Sequence, residues 1–296
     1  MFTMSQNKIL ACIINTSCLA LAISTFASAV QATTDTKPTK LPKITLSATQ
    51  IAEKNAAARG GLRTWLGTQS ITMAGNMEAG KLEPLPKPGM EAPRQGIPKG
   101  QRPHPIKNEE GKIIELPFVL EMQRPHKMRL EIQFAGDTAI QVFDGTNGWK
   151  LRPFLGRSEV EPYTADEMKS AMQQQDMEGP LMDYASKGTK LTLDGMEQVD
   201  GKSAYKLSLT IKDGQVRHVW VDAATFLDVK IDGIRNMNGK PKTVATNFRD
   251  YRSVQGLKIP YLLETSVAGI PGSEKIKVER IAINTKLDAA RFMKPK

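Results

Sequence analysis

The sequence predicts a mainly β protein, an antiparallel up-and-down sheet of about eleven strands with a few helices over it. Three observations predict it. Apolar residues recur with a period of two through most of the chain from residue 113 onward. Asp-Gly and Asn-Gly pairs punctuate these runs. The segments between runs are too short for the helical crossovers that a parallel sheet needs.

The chain opens as an export signal. Lys8 is the only charged side chain before the uncharged, mostly apolar stretch Ile9–Ala29, and Ala27-Ser28-Ala29 fits a small-x-small cleavage site. Cleavage is expected after Ala29, or after Ala32 by way of Val30-Gln31-Ala32. The rival reading is an uncleaved anchor, against which Asn15, Thr16 and Ser17 interrupt the stretch. Those residues also precede Cys18 in place of the leucine-like residue of a lipobox, so lipidation is not expected. Both cysteines, Cys12 and Cys18, lie inside residues 1–32, so the mature chain carries no thiol and no disulfide. Without Lys8 the formal charge falls from +10 to +9. That excess suits anionic neighbours in the envelope or serves solubility alone.

Residues 33–46, rich in Thr, Lys and Pro, read as a flexible lead-in, and 47–296 as a single β domain. Ser47-Ala48-Thr49-Gln50 is a capping box that starts a helix, and Gly60-Gly61 ends it; Leu62, Trp65 and Leu66 suggest one more turn. Ser70–Ala74 begins the first strand. The insertion 80–112 holds Pro84, Pro86, Pro88, Pro93, Pro98, Pro103 and Pro105, a density that no sheet interior accepts. It reads as an extended loop, with a basic docking arm as the alternative.

Strands resume at Ile113. Met128, Leu130, Ile132 and Phe134 alternate with Lys127, Arg129, Glu131 and Gln133, giving one apolar and one wet face. Runs follow at 139–143, 149–154, 191–193, 204–211, 216–221, 227–231, 244–250, 259–266 and 275–283. Hairpin turns are expected at Asp144-Gly145, Asn147-Gly148, Asp194-Gly195, Asp200-Gly201, Asp213-Gly214, Asp232-Gly233 and Asn238-Gly239. One helix breaks the series: Thr164-Ala165-Asp166-Glu167 is a second capping box, and Met168, Ala171 and Met172 share a face. Gly179-Pro180 restarts a turn carrying Leu181, Met182 and Tyr184.

The chain lacks the motifs of common chemistry. His104, His126 and His218 have no partner at metal-ligand spacing, and no nucleophile elbow, phosphate loop or dinucleotide fingerprint is present. No catalytic residue, metal or cofactor is therefore expected. Aromatics are 6% of residues and fall mostly in strands, which argues against nucleic acid as a partner. What remains is apolar binding. A one-sided sheet must bury its apolar face, and a curved sheet closed incompletely by helices leaves a hydrophobic cavity. The candidate cavity residues are Met128, Leu130, Ile132, Phe134, Leu207, Leu209, Ile211, Val229 and Ile231. Residues 164–184 are the candidate lid, with Met168, Met172, Leu181 and Met182 facing the sheet, since methionine adapts to irregular apolar partners. Ordinary core packing explains the same residues.

Several stretches, in order, carry a resemblance. They are Ile51–Gly61 running into Leu62 and Trp65; Arg124-Pro125 with Met128–Glu131; Phe143-Asp144-Gly145 closing on Gly148-Trp149; Trp220-Val221-Asp222 with Thr225-Phe226; and Phe248, Asp250-Tyr251-Arg252 leading to Gly256–Pro260. Asn284, Leu287, Phe292 and Pro295 follow at the end. In these the chain resembles the LolA/LolB-like lipoprotein-sorting superfamily of Gram-negative bacteria. The resemblance implies an unclosed antiparallel half-barrel, apolar inside and covered by helices. It implies a periplasmic, monomeric carrier that takes acyl chains of lipoproteins or other envelope lipids between an inner-membrane donor and an outer-membrane acceptor. The alternative is a non-enzymatic regulatory or structural envelope domain that binds a protein partner. The proline-rich insertion is longer than the resemblance implies.

Overall fold

The alternation resolves into a single antiparallel sheet in a computed structural model that describes residues 44–81, 113–153, 157–173, 176–237 and 240–296. The expected signal segment, nearly all of the lead-in, the proline-rich insertion from 82 to 112 and the Asn238-Gly239 turn lie outside the described residues.

The strands are β1 (Ser70–Lys81), β2 (Ile113–Gln123), β3 (Lys127–Phe134), β4 (Asp137–Phe143), β5 (Gly148–Arg152), β6 (Arg157–Pro162), β7 (Lys190–Val199), β8 (Lys202–Thr210), β9 (Val216–Asp222), β10 (Asp228–Met237), β11 (Lys240–Val254), β12 (Leu257–Val267) and β13 (Glu274–Ile283). Their spatial order is β6-β5-β4-β3-β2-β1-β13-β12-β11-β10-β9-β8-β7. The sheet is thus two meandering arms joined at the centre by β1 and β13. It is unclosed, with β6 and β7 as free edges. The structure has 13 strands among the described residues, against about eleven expected. The strand without a signal in the sequence is β6, Arg-Ser-Glu-Val-Glu-Pro, a short charged edge strand with a terminal proline. Those are the features that keep an edge from pairing further, and they erase the period-two pattern.

Two expected turns prove to be strand interior. Asp232-Gly233 lies inside β10, where Gly233 pairs with Arg217 of β9, and Asp194-Gly195 forms an irregularity inside β7. Tight turns with positive φ at both residues fall at Ala135-Gly136, at Asp200-Gly201 as expected, and at Gln255-Gly256. That geometry matches the right-handed strand twist, and only the second of the three is a familiar turn pair.

Both capping boxes form. Helix α1 (Ala48–Ala58) is closed by Ser47 and Gln50, whose side chains each bond the other's backbone N–H. Helix α2 (Leu62–Gly67) follows directly. Helix α3 (Ala165–Gln173) starts on Thr164, whose hydroxyl accepts from the Glu167 N–H while its own N–H donates to Glu167 at 2.7 Å. The connection from β6 to β7 leaves one free edge of the sheet and returns to the other. It must cross the mouth of the curved sheet, and it carries α3 and the turn-rich segment 176–189 with it. A short 3-10 helix (Ala289–Phe292) packs on the opposite face, where Arg291 bridges Glu121 and Glu131.

Candidate functional site

Three of the four apolar clusters among the described residues bear on the site, two of them packed under helices and turns. Leu207, Leu209, Val219 and Val221 pack under Ile51 and Ala52 of α1 and under Leu181. Ile71, Leu257, Ile259 and Ile283 pack under Trp65 of α2 and Met182. This second cluster fills a split in the sheet: β12 and β13 pair only from Leu262↔Lys277 to Thr265↔Glu274, so Leu257–Tyr261 have no partner on β13. The third cluster, centred on Leu116, Phe118, Ile132 and Val278, is built from sheet residues alone among the described residues. Half-buried Met73, Leu120, Leu130, Leu263 and Ile276 pack around it.

Between floor and cover lies a cavity of about 200 Å³. Its floor comes from Met73, Val219, Ile231, Phe248, Ile259 and Leu263, and its roof from Trp65, Met177, Pro180 and Leu181. Met73 and Leu263 also pack against the sheet-only third cluster, so cavity and cluster are continuous.

Polar groups fasten the cover at one end of this cavity. Arg59, just past α1, lies 3.3 Å from the Asp228 carboxylate and donates at 2.7 Å to the Glu178 carbonyl. Asn55 donates to Asp228 at 3.0 Å and to the Phe226 carbonyl at 2.8 Å. The Arg59 guanidinium stacks over the Trp65 ring, and the Trp65 indole N–H donates to the Arg59 carbonyl at 3.0 Å. Burial pushes the Asp228 carboxyl up despite the pull of Arg59 and Asn55. Burial also pushes the Tyr251 phenol up, helped by the Asp228 charge. Both Asp228 and Tyr251 line the cavity.

Glu178 is the second fastening. Its carboxylate meets Arg124, at the end of β2, at 2.7 Å and Lys187 at 3.1 Å. Burial opposes its ionisation, yet Arg124 and Lys187 hold its carboxyl below the usual value. Helix α3 is tied to both arms. Lys150 of β5 sits 2.6 Å from both oxygens of Glu167, while Asn236 of β10 reaches Asp166 and Lys169 reaches Asp213.

Of the residues singled out from sequence, Ile231 and Leu181 line the cavity. Leu207 and Leu209 are fully buried beneath α1, and Met182 beneath Trp65. Ile132 is buried in the sheet-only cluster, with Leu130 and Phe134 half-buried beside it. Met128 is half-buried on the same strand. Ile211 lies just past β8, and Val229 at the irregularity between Asp228 and Lys230. Met168 is half-buried on α3, whereas Met172 is 54% exposed. Sequence reasoning did not single out Arg59, Asp228 or Glu178. The available signal was an acid at the head of the apolar run Leu227–Ile231, because a carboxylate at a buried position demands a partner. Among the described residues, no group of three or more His, Cys, Asp or Glu could hold a metal, and no helix is long and apolar enough to cross a membrane.

No family model matches the sequence, and no curated protein sequence does. Solved structures do match. A LolA superfamily protein from Nitrosomonas europaea aligns over 84% of this chain and 98% of its own, with TM-score 0.51 and 14% identity. A DUF1329 family protein from Desulfovibrio piger aligns with the same coverage, TM-score and identity. The fold is LolA-like. An unclosed antiparallel sheet with helices over its concave face is the architecture that the LolA-like resemblance implied.

Proposed function

We propose that this protein is a periplasmic carrier that takes an acyl chain of a lipoprotein or other envelope lipid into the space between its concave sheet and its cover. The observation that supports this reading most is the apolar cavity, continuous with a sheet-only apolar cluster rimmed by half-buried side chains, in a LolA-like fold. Burying a methylene gains about 0.8 kcal/mol, so a sixteen-carbon chain gives an upper bound of roughly 12 kcal/mol. At about 200 Å³ the cavity is smaller than the roughly 300–1,000 Å³ of ordinary ligand pockets. It holds part of a chain. The remainder must lie along Leu120, Leu130 and Ile276 or displace the cover.

The cover is built for displacement. Its underside is apolar, while ion pairs and carbonyl contacts at Arg59 and Glu178 fix its edges. Opening exposes apolar surface that an acyl chain then re-covers, so ligand binds the opened state better than the closed one. In this reading the chain exchanges its load with an inner-membrane donor and an outer-membrane acceptor. Titration of the purified protein with a fluorescent fatty acid tests the proposal, alongside a Leu263→Trp variant that fills the cavity. Saturable binding that this variant weakens at least tenfold supports it. No saturable binding to the wild-type protein, with no lipid in its organic extract by mass spectrometry, overturns it.

A further inference from the structure

One row of side chains crosses the concave face through four neighbouring strands. Ile231 of β10 is paired with Thr246 of β11, Thr246 with Thr265 of β12, and Thr265 with Glu274 of β13. Directly cross-strand residues project from the same face of a sheet. Ile231 lines the cavity, and so does Leu263, two residues before Thr265 on the same strand. Ile276, two residues after Glu274, packs into the sheet-only apolar cluster. Glu274, Thr265 and Thr246 therefore form a polar stripe on an apolar floor, beside the cavity and at the edge of the sheet-only cluster.

The chemistry of the stripe is unusual. Glu274 Oε2 is wholly shielded from water and has no hydrogen-bond partner among the described residues. Burial alone pushes this carboxyl up to about 9. At neutral pH it is an uncharged acid with one O–H to donate. The Thr246 and Thr265 hydroxyls lie 2.9 Å apart and share one bond, which leaves a second hydroxyl hydrogen unused. An unsatisfied buried carboxyl is costly, so its retention in an apolar wall calls for a partner.

We infer that the Glu274–Thr265–Thr246 stripe is the seat for the carbonyl of an ester- or amide-linked acyl chain, with Glu274 donating the hydrogen bond. This rests on the acyl-carrier reading above and narrows it to ligands whose chain ends in an uncharged carbonyl. The stripe offers donors but no cation, so it does not suit a phosphate or a free carboxylate. The hydrocarbon beyond the carbonyl runs either into the cavity past Ile231 and Leu263 or over Ile276.

Ligands matched in length but differing at the carbonyl separate this proposal from simple greasiness. The purified protein is titrated calorimetrically with dioctanoylglycerol, its diether analogue dioctylglycerol, and N-octanoylglycinamide. Wild type is expected to bind the diester about tenfold more tightly than the diether, the worth of one hydrogen bond to an otherwise unsatisfied group. Glu274→Gln keeps donors in place and retains the preference. Glu274→Leu binds both lipids with equal affinity, at the wild-type level for the diether. Thr265→Val, a milder change, reduces the preference and serves if Glu274→Leu does not fold. The amide ligand shows whether the Glu274-dependent gain is greater for ester or for amide. Equal binding of diester and diether by wild type, or an undiminished preference in Glu274→Leu, overturns the seat while leaving the carrier reading intact. If wild type binds none of the three, the carrier reading fails and the seat with it.

Discussion

Replacing Glu274 by glutamine should make the protein more stable above pH 5, and increasingly so as pH rises. The ordinary glutamate value is 4.5, and burial pushes the folded-state value up to about 9. Below pH 4.5 the carboxyl is protonated in both states and glutamine offers no advantage. Between 4.5 and 9 the unfolded chain has released the proton while the folded chain still holds it. Wild-type stability therefore falls with pH by about 1.4 kcal/mol per unit, then levels above the folded value. From pH 5 to pH 8 the loss approaches about 4 kcal/mol, and partial solvation of the carboxyl brings the expected figure to roughly 2–4 kcal/mol. Glutamine has nearly the same shape and no proton to lose, so its stability should not carry this slope. Urea unfolding of both proteins at pH 5, 6, 7 and 8 measures the difference directly. Parallel curves for the two proteins across that range would refute the argument, because they would mean that Glu274 ionises as freely in the fold as outside it.

Other outcomes follow from the same geometry. Arg59→Met strands the Asp228 carboxylate in the cavity wall and should cost about 3–5 kcal/mol in urea unfolding; adding Asp228→Asn should recover part of it. Leu181→Ala removes a fully buried side chain from the cavity roof and should cost about 2–5 kcal/mol, with lipid affinity reduced as well. Met172→Ser should leave stability within about 0.5 kcal/mol and lipid uptake unchanged, since the side chain is half in water; a loss of uptake would show that α3 moves onto the ligand. Gly75→Ala places a methyl carbon 2.0 Å from the Lys277 carbonyl oxygen across the β1–β13 seam, and should cost about 2 kcal/mol or more, lowering the melting temperature by at least about four to eight degrees if the protein folds at all.

Local signals in the sequence were read well where one side chain decides the structure. Ser47 with Gln50 and Thr164 with Glu167 each satisfy two backbone groups within four residues, so both helix starts were legible. Strict alternation of apolar and polar side chains at 127–134 marked β3, although the polar face there is half-buried against the 3-10 helix rather than wet. Asp232-Gly233 misled because a turn pair and a strand interior use the same two residues, and the neighbouring strand decides between them. The site was harder. Its roof comes from Trp65 and from Met177–Leu181, far apart in sequence, and only the route from one free edge of the sheet to the other brings them together. Leu207 and Leu209 carry the same alternating pattern as Ile231, yet α1 seals the first two while the third opens onto the cavity. Alternation identifies a concave face and says nothing of what lies over each part of it.

The strand order has a consequence for how the molecule assembles. Each arm is a meander in which a strand meets its sequence neighbour, so its contacts are short in range and can form early. The central seam is the opposite: Ile71 pairs with Ile283, near the two ends of the folded chain. Contacts at such separation carry the largest loop-closure cost and form slowly. Until β13 docks against β1, the two arms are separate curved sheets with exposed apolar faces, and neither has a complete cavity. Refolding should therefore show early strand formation followed by a slower phase in which the interior is sealed. A folding factor that shields those faces would act in the interval between the two.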